Sequence, residues 1–116
     1  MAFDNQNVTI LTNEISRNAQ DILGDRLKKI ILYGSRARGD YNPYSDMDII
    51  VLADYNEQER RLYEKALSRV ASDIGLEYDV IVSVMLNNEH LFMSRLPISP
   101  FYRNVISEGI EIYGTH

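Results

Sequence analysis

Two β-branched runs, KKIILYG at 28–34 and DMDIIVLA at 46–53, are separated by a stretch too short to carry a crossover helix. Parallel neighbours need a dozen or more connecting residues, usually helical, so these two strands are expected to pair antiparallel or to belong to a mixed sheet. The linker supports this: SRAR makes one helical turn before Gly39, and Asn42-Pro43 marks DYNPYS as a loop. Ahead of the first strand, Val8, Leu11, Ile15, Ala19, Ile22 and Leu23 recur at helical spacing and Gly24 stops them. After the second, residues 57–74 read as a helix capped by Asn56 with Glu59, its buried stripe Leu62, Ala66, Val70 and Ile74 and its end at Gly75. EYDVIVSV at 77–84 reads as a third strand. A short helix near 88–95 precedes Pro97, Ser99-Pro100 opens another running to Gly109, and IEIY at 110–113 is a last short strand. The pattern is α/β (α+β), a small mixed β-sheet flanked by helices, in one domain over residues 1–116.

Composition narrows the function classes. The formal charge of -5 argues against a domain built to grip nucleic acid through clustered Lys and Arg, and no direct nucleic-acid binding is expected. With no cysteine, disulfides and thiol catalysis drop out. The apolar runs are too short to span a bilayer and the N-terminus lacks a basic and an apolar signal region, so no membrane association and a cytoplasmic location are expected.

The second strand breaks a local rule. Asp is among the poorest strand formers, yet Asp46 and Asp48 lead into Ile49, Ile50, Val51 and Leu52. Strand alternation puts Asp46, Asp48, Ile50 and Leu52 on one face. Asp79 stands in a similar setting in the third strand, so three carboxylates converge if the two strands are neighbours. Two unit charges about 4 Å apart repel by roughly 4 kcal/mol at an effective dielectric of 20, so such a cluster takes up protons or binds cations. Hard oxygen ligands on a strand suit Mg²⁺ shared with phosphate oxygens, and two such ions suit in-line displacement at phosphorus. Gly34 lets the backbone approach a ligand, and Ser35 opens a helical turn whose free N–H groups favour phosphate. Arg36 and Arg38 are candidates to compensate phosphate charge, and equally serve as ordinary solvated arginines.

Gly34-Ser35, ten residues, then Asp46-Met47-Asp48 resembles the signature of the polymerase-β-type nucleotidyltransferases. The fuller GSRARG…SDMDIIV resembles the minimal nucleotidyltransferases (MNT), Tyr78-Asp79-Val80 sits where that family has its third carboxylate, and SPFYRNVISEGIEIY is similar to the tail of its small prokaryotic members. The resemblance implies a polymerase-β-like core in which Asp46, Asp48 and Asp79 bind two Mg²⁺ and the Gly34-Ser35 turn holds the β- and γ-phosphates of ATP. Asp79 would also help deprotonate the attacking hydroxyl. It further implies an antitoxin of a HEPN/MNT toxin–antitoxin module, which transfers AMP onto a tyrosine of a HEPN-type toxin. Two other readings stand beside it: a binding-only antitoxin that neutralises by docking, and a small-molecule nucleotidyltransferase working as a homo-oligomer.

Other residues carry plainer readings. Glu77 replaces Asp79 as the inward carboxylate if the strand register differs. Tyr41 and Tyr44 either stack on a base or, more commonly for loop tyrosines, cover the core edge; Lys28 and Lys29 are read as solvated, and His90 as an ordinary helix residue.

Overall fold

A computed structural model of the chain describes residues 5–34, 37, 39 and 46–114. Helix α1 (Asn5–Leu23) leads through a 3₁₀ turn at Gly24–Arg26 into strand β1 (Leu27–Tyr33). Strand β2 (Met47–Ala53) is followed by helix α2 (Glu57–Tyr78) and strand β3 (Val82–Asn88). Two short helices, α3 (Glu89–Arg95) and α4 (Pro100–Glu108), then precede strand β4 (Ile110–Gly114). The sheet order is β3-β2-β1-β4. β1 runs antiparallel to both β2 and β4, as the short linker requires, while β2 and β3 are parallel, joined by α2 as the crossover.

Both faces of the sheet are covered near its centre. On one, Ile30, Leu32, Met47, Ile49, Val51 and Leu86 pack against Leu11, Ile15, Ala19 and Leu23 of α1 and Leu67 and Ile74 of α2. On the other, Ile31, Ile50 and Leu52 meet Phe92 of α3 and Val105 of α4. β2 is thus central and apolar on both sides, and six of its seven residues are buried. The exception is Asp48. Each buried Leu or Ile contributes about 1.5–3 kcal/mol, so this strand anchors whatever Asp48, and Asp46 just ahead of it, do. Among the described residues no helix is long and apolar enough to cross a membrane.

Three expectations for α2 and β3 need correction. The helix does not stop at Gly75 but runs to Tyr78 and ends at Asp79, which adopts the left-handed conformation at φ 55. Gly75 serves close approach instead: Val80 N–H donates to Gly75 O at 3.0 Å, and a Cβ on residue 75 would meet Val80 O at 2.6 Å. The buried stripe is Leu67, Ala71 and Ile74: of the expected row Ile74 is buried and Val70 packs against the core, but Leu62 is 68% exposed. At 3.6 residues per turn an i, i+4 row drifts about 40° per step, whereas i, i+4, i+7 stays on one face. The third strand starts at Val82, five residues later than the sequence suggested, because residues 77 and 78 complete the helix and 79–81 make the turn.

The terminal signals agree with the structure. Asn56 accepts from Glu59 N–H at 3.0 Å and Glu59 Oε1 accepts from Asn56 N–H at 3.2 Å, a complete capping box. Ser99 caps α4 with Pro100 in its first turn.

Candidate active site

β1 ends where β2 begins, and the corner between them is set by one glycine. Gly34 has φ +76, a backbone conformation that side-chain-bearing residues rarely adopt. It also faces Asp48: a Cβ at residue 34 would lie 2.6 Å from Asp48 Oδ2. The backbone therefore reaches the carboxylate only because residue 34 has no side chain. Ala37 N–H donates to Gly34 O at 3.1 Å. Ser35, Arg36, Arg38, Tyr41 and Tyr44, all singled out in the sequence, lie outside the described residues.

Asp46 is exposed just before β2, and Asp48 is half-buried as its second residue. Burial pushes the Asp48 carboxyl up from its ordinary value, and the neighbouring Asp46 charge pushes it further. In register, Asp48 has Tyr33 of β1 on one side and Ser83 of β3 on the other. Paired residues point to the same face, so the three side chains form a row across the sheet. The Tyr33 phenol is also pushed up, first by burial and then by Asp48. Its ring meets Phe101 of α4 edge-on at 5.9 Å between centroids. A cavity of about 220 Å³ opens beside the corner, lined by Tyr33, Gly34, Phe101, Asn104, Val105 and Glu108.

The donor set at this corner fits Mg²⁺. Two hard carboxylates stand two residues apart at the start of β2, close enough for one charge to act on the other, and Asp48 is held partly out of water at an electrostatic penalty that a cation relieves. Mg²⁺ is satisfied by one or two carboxylates with phosphate oxygens and water. Among the described residues no group of three or more acidic or histidine side chains is arranged to hold a metal ion. Strand pairing does not bring Asp79 beside Asp48. Asp79 caps α2, and the residue beside Asp48 on β3 is Ser83. What Asp79 shares with the pair is the end of the sheet, since Met47 N–H donates to Ile81 O at 2.8 Å. Glu77, the alternative, is exposed in the last turn of α2 and shares no strand face with residue 79.

Tyr33 and Ser83 were missed by sequence reasoning. The position of Tyr33 directly before Gly34 was a usable signal once the first two strands were taken as antiparallel neighbours. For Ser83 there was none, because its place depends on where α2 ends.

A mixed sheet with a positive-φ glycine corner set against an Asp-x-Asp strand is the architecture of a polymerase-β-type nucleotidyltransferase. The chain belongs to the nucleotidyltransferase domain family, whose model matches residues 13–112, and it is a nucleotidyltransferase. Two Methanocaldococcus jannaschii proteins, each named "Putative protein adenylyltransferase", are similar to it. One is 36% identical over 88 residues, covering 76% of this chain and 80% of the relative. The other is 29% identical over 102 residues, covering 88% and 95%. Among solved structures, a Sulfolobus solfataricus protein described as a "putative nucleotidyltransferase" superposes with a TM-score of 0.62 at 19% identity, covering 91% of this chain and 79% of that one. A chain of a toxin–antitoxin complex with AMP-PNP gives 0.57 at 23% identity, covering 90% and 74%. A chain of a complex between a tri-AMPylated Shewanella oneidensis HEPN toxin and its MNT antitoxin gives 0.53 at 21% identity, covering 91% and 71%. These structural likenesses establish the fold.

Proposed function

We propose that this nucleotidyltransferase moves AMP from ATP onto a hydroxyl of a partner protein, a tyrosine of a HEPN-type toxin, and so acts as an antitoxin. The single observation that carries the transfer chemistry is the contact between the Gly34 backbone and the Asp48 carboxylate, which joins a phosphate-receiving corner to a cation-receiving one. The names of the Methanocaldococcus jannaschii relatives support protein as the acceptor class. The toxin–antitoxin complexes among the fold neighbours support a HEPN partner.

The roles follow from chemistry at the corner. Asp46 and Asp48 would hold Mg²⁺, one ion or two, which would supply neutralisation of charge at the reacting phosphate. Gly34 and Ser35 receive the β- and γ-phosphates on backbone N–H groups, with Arg36 and Arg38 as compensating cations. The acceptor oxygen bonds to the α-phosphorus, the bond from that phosphorus to the bridging oxygen breaks, and pyrophosphate leaves. The acceptor proton passes to a carboxylate, for which Asp79 is the candidate because its segment adjoins Met47 at this end of the sheet. The whole chain is read as one catalytic unit whose acceptor surface is completed by the partner.

The test uses triphosphates labelled at the α or the γ phosphorus, with Mg²⁺ and the neighbouring gene's product. Label retained on the partner from the α position alone is the expected outcome. Retention from γ alone means phosphorylation and overturns the reading. Partner neutralisation that survives Asp46→Asn with Asp48→Asn, without label transfer, means docking alone silences it.

A further inference from the structure

The two edges of the sheet are treated differently. β4 is blunted: it is short, carries Glu111 on an edge strand, and pairs with β1 through an irregularity between Ile30 and Ile31. β3 has none of these devices. Its sequence VSVMLNN carries no charge and no proline, its register with β2 is unbroken over seven residues, and among the described residues no strand pairs with its outer side. Met47 N–H bonds to Ile81 O, so by strand alternation residues 81, 83, 85 and 87 direct their backbone groups to β2. Val82, Val84 and Leu86 direct theirs outward. A groove of about 370 Å³ follows this strand, walled by Arg60, Glu64 and Ser68 of α2 and by Ser83, Met85 and Asn87. Asn87 Nδ2 is buried there without a hydrogen-bond partner. At its other end the strand starts beside the site, because Ser83 is in register with Asp48.

We propose that the outer edge of β3 is the docking strand for the protein acceptor: an extended, uncharged segment flanked by Lys or Arg adds to the sheet here. Its hydroxyl is thereby delivered to the Asp46–Asp48 end. This rests on the protein-acceptor reading above and specifies how that acceptor is held. Backbone bonds at Val82, Val84 and Leu86 supply affinity, and the groove supplies room for alternate side chains. Charge selects the occupant. Glu77 and Asp79 precede the strand and Glu89 follows it, so both ends of the edge are acidic. A second copy pairing antiparallel here would set Asp79 and Glu77 of one chain against Glu89 of the other, which disfavours self-association. A segment with basic flanks is complementary at both ends.

The experiment is an NMR titration of the full chain with a synthetic peptide, KKVTVYVKK, read by amide exchange and shift changes. Protection at Val82, Val84 and Leu86 is expected. It should weaken roughly tenfold or more when alternate peptide amides are N-methylated, because several backbone bonds are then lost together. The acid-flanked EEVTVYVEE should bind more weakly still, and Glu77→Lys, at an exposed helix end, should weaken KKVTVYVKK. Val84→Pro removes one outward donor; if that variant misfolds by circular dichroism, the N-methylated peptide makes the same test on the unaltered protein. No footprint, a footprint away from β3, or concentration-dependent protection of the same amides without peptide overturns the proposal. The Asp46→Asn, Asp48→Asn double variant separates the two readings. It should lose transfer yet keep the β3 footprint. Transfer that proceeds on a protein acceptor with no protection of β3 removes the docking strand alone, whereas a β3 footprint with no transfer under any partner condition removes the transferase reading alone.

Discussion

The backbone of Gly34 lies against the carboxylate of Asp48, so close that a Cβ on residue 34 would stand 2.6 Å from Oδ2. Two demands meet at one position, positive φ and absence of a side chain. Gly34→Ala is expected to cost about 1–3 kcal/mol from backbone strain, before the displaced carboxylate is counted. Thermal melts of Gly34→Ala, Asp48→Ala and the double variant check this. The double variant should be more stable than the sum of the single losses allows, with a coupling of about 0.5–3 kcal/mol. Simple additivity would mean the two residues do not touch.

Asp48 is a residue whose ionisation opposes folding. Its carboxyl is pushed up in the folded state by burial and by Asp46. The folded protein therefore holds the proton more tightly than the unfolded chain. Stability is greatest where Asp48 is protonated, falls as pH rises through the interval between the unfolded and the raised folded value, and stays lower above it. Asp48→Asn is expected to raise the melting temperature at neutral pH in the absence of metal and nucleotide, to lose that advantage in acid, and to abolish transfer. Melting curves across pH, beside the labelling assay, check all three. A neutral-pH destabilisation would contradict the assigned cause.

How far the sequence revealed this molecule depends on whether a feature was local. Asn56, Ser99 and Pro100 announce helix starts through bonds made within a few residues, and the structure has all of them. The antiparallel pairing of β1 and β2 follows from linker length, and the exceptional place of Asp48 follows from its apolar surroundings. The end of α2 was less legible. Gly75 is a common stop, and its true service to Val80 is a contact made only after the chain has folded back. Moving that end by four residues moved Asp79 off the strand, so the third carboxylate was the part of the site that local pattern could least determine.

The phase of α2 gives a test of packing that does not involve the site. Leu67 is 3% exposed, whereas Leu62, which the sequence spacing placed in the buried stripe, is 68% exposed. Leu67→Ala should destabilise the protein by about 2–5 kcal/mol through lost contacts and a cavity between helix and sheet. Leu62→Ala should stay within about 0.5 kcal/mol. Urea unfolding measures both. Equal losses would place the buried face of α2 on the row that begins at Leu62.

Asp79 holds a left-handed backbone at φ 55, a conformation that Asn tolerates about as well as Asp. Asp79→Asn therefore removes the charge while keeping the helix end. If Asp79 takes the acceptor proton, this variant should lose about 10²–10⁴-fold in the rate of AMP transfer with little change in ATP binding. Glu77→Gln, in the exposed last turn of the helix, should leave the rate unchanged once the acceptor is saturating, since its place beside the β3 edge bears on docking and not on the proton. Rapid-quench rates for the three proteins at saturating ATP and acceptor decide between them. An Asp79→Asn enzyme as fast as the parent would move proton transfer to another group.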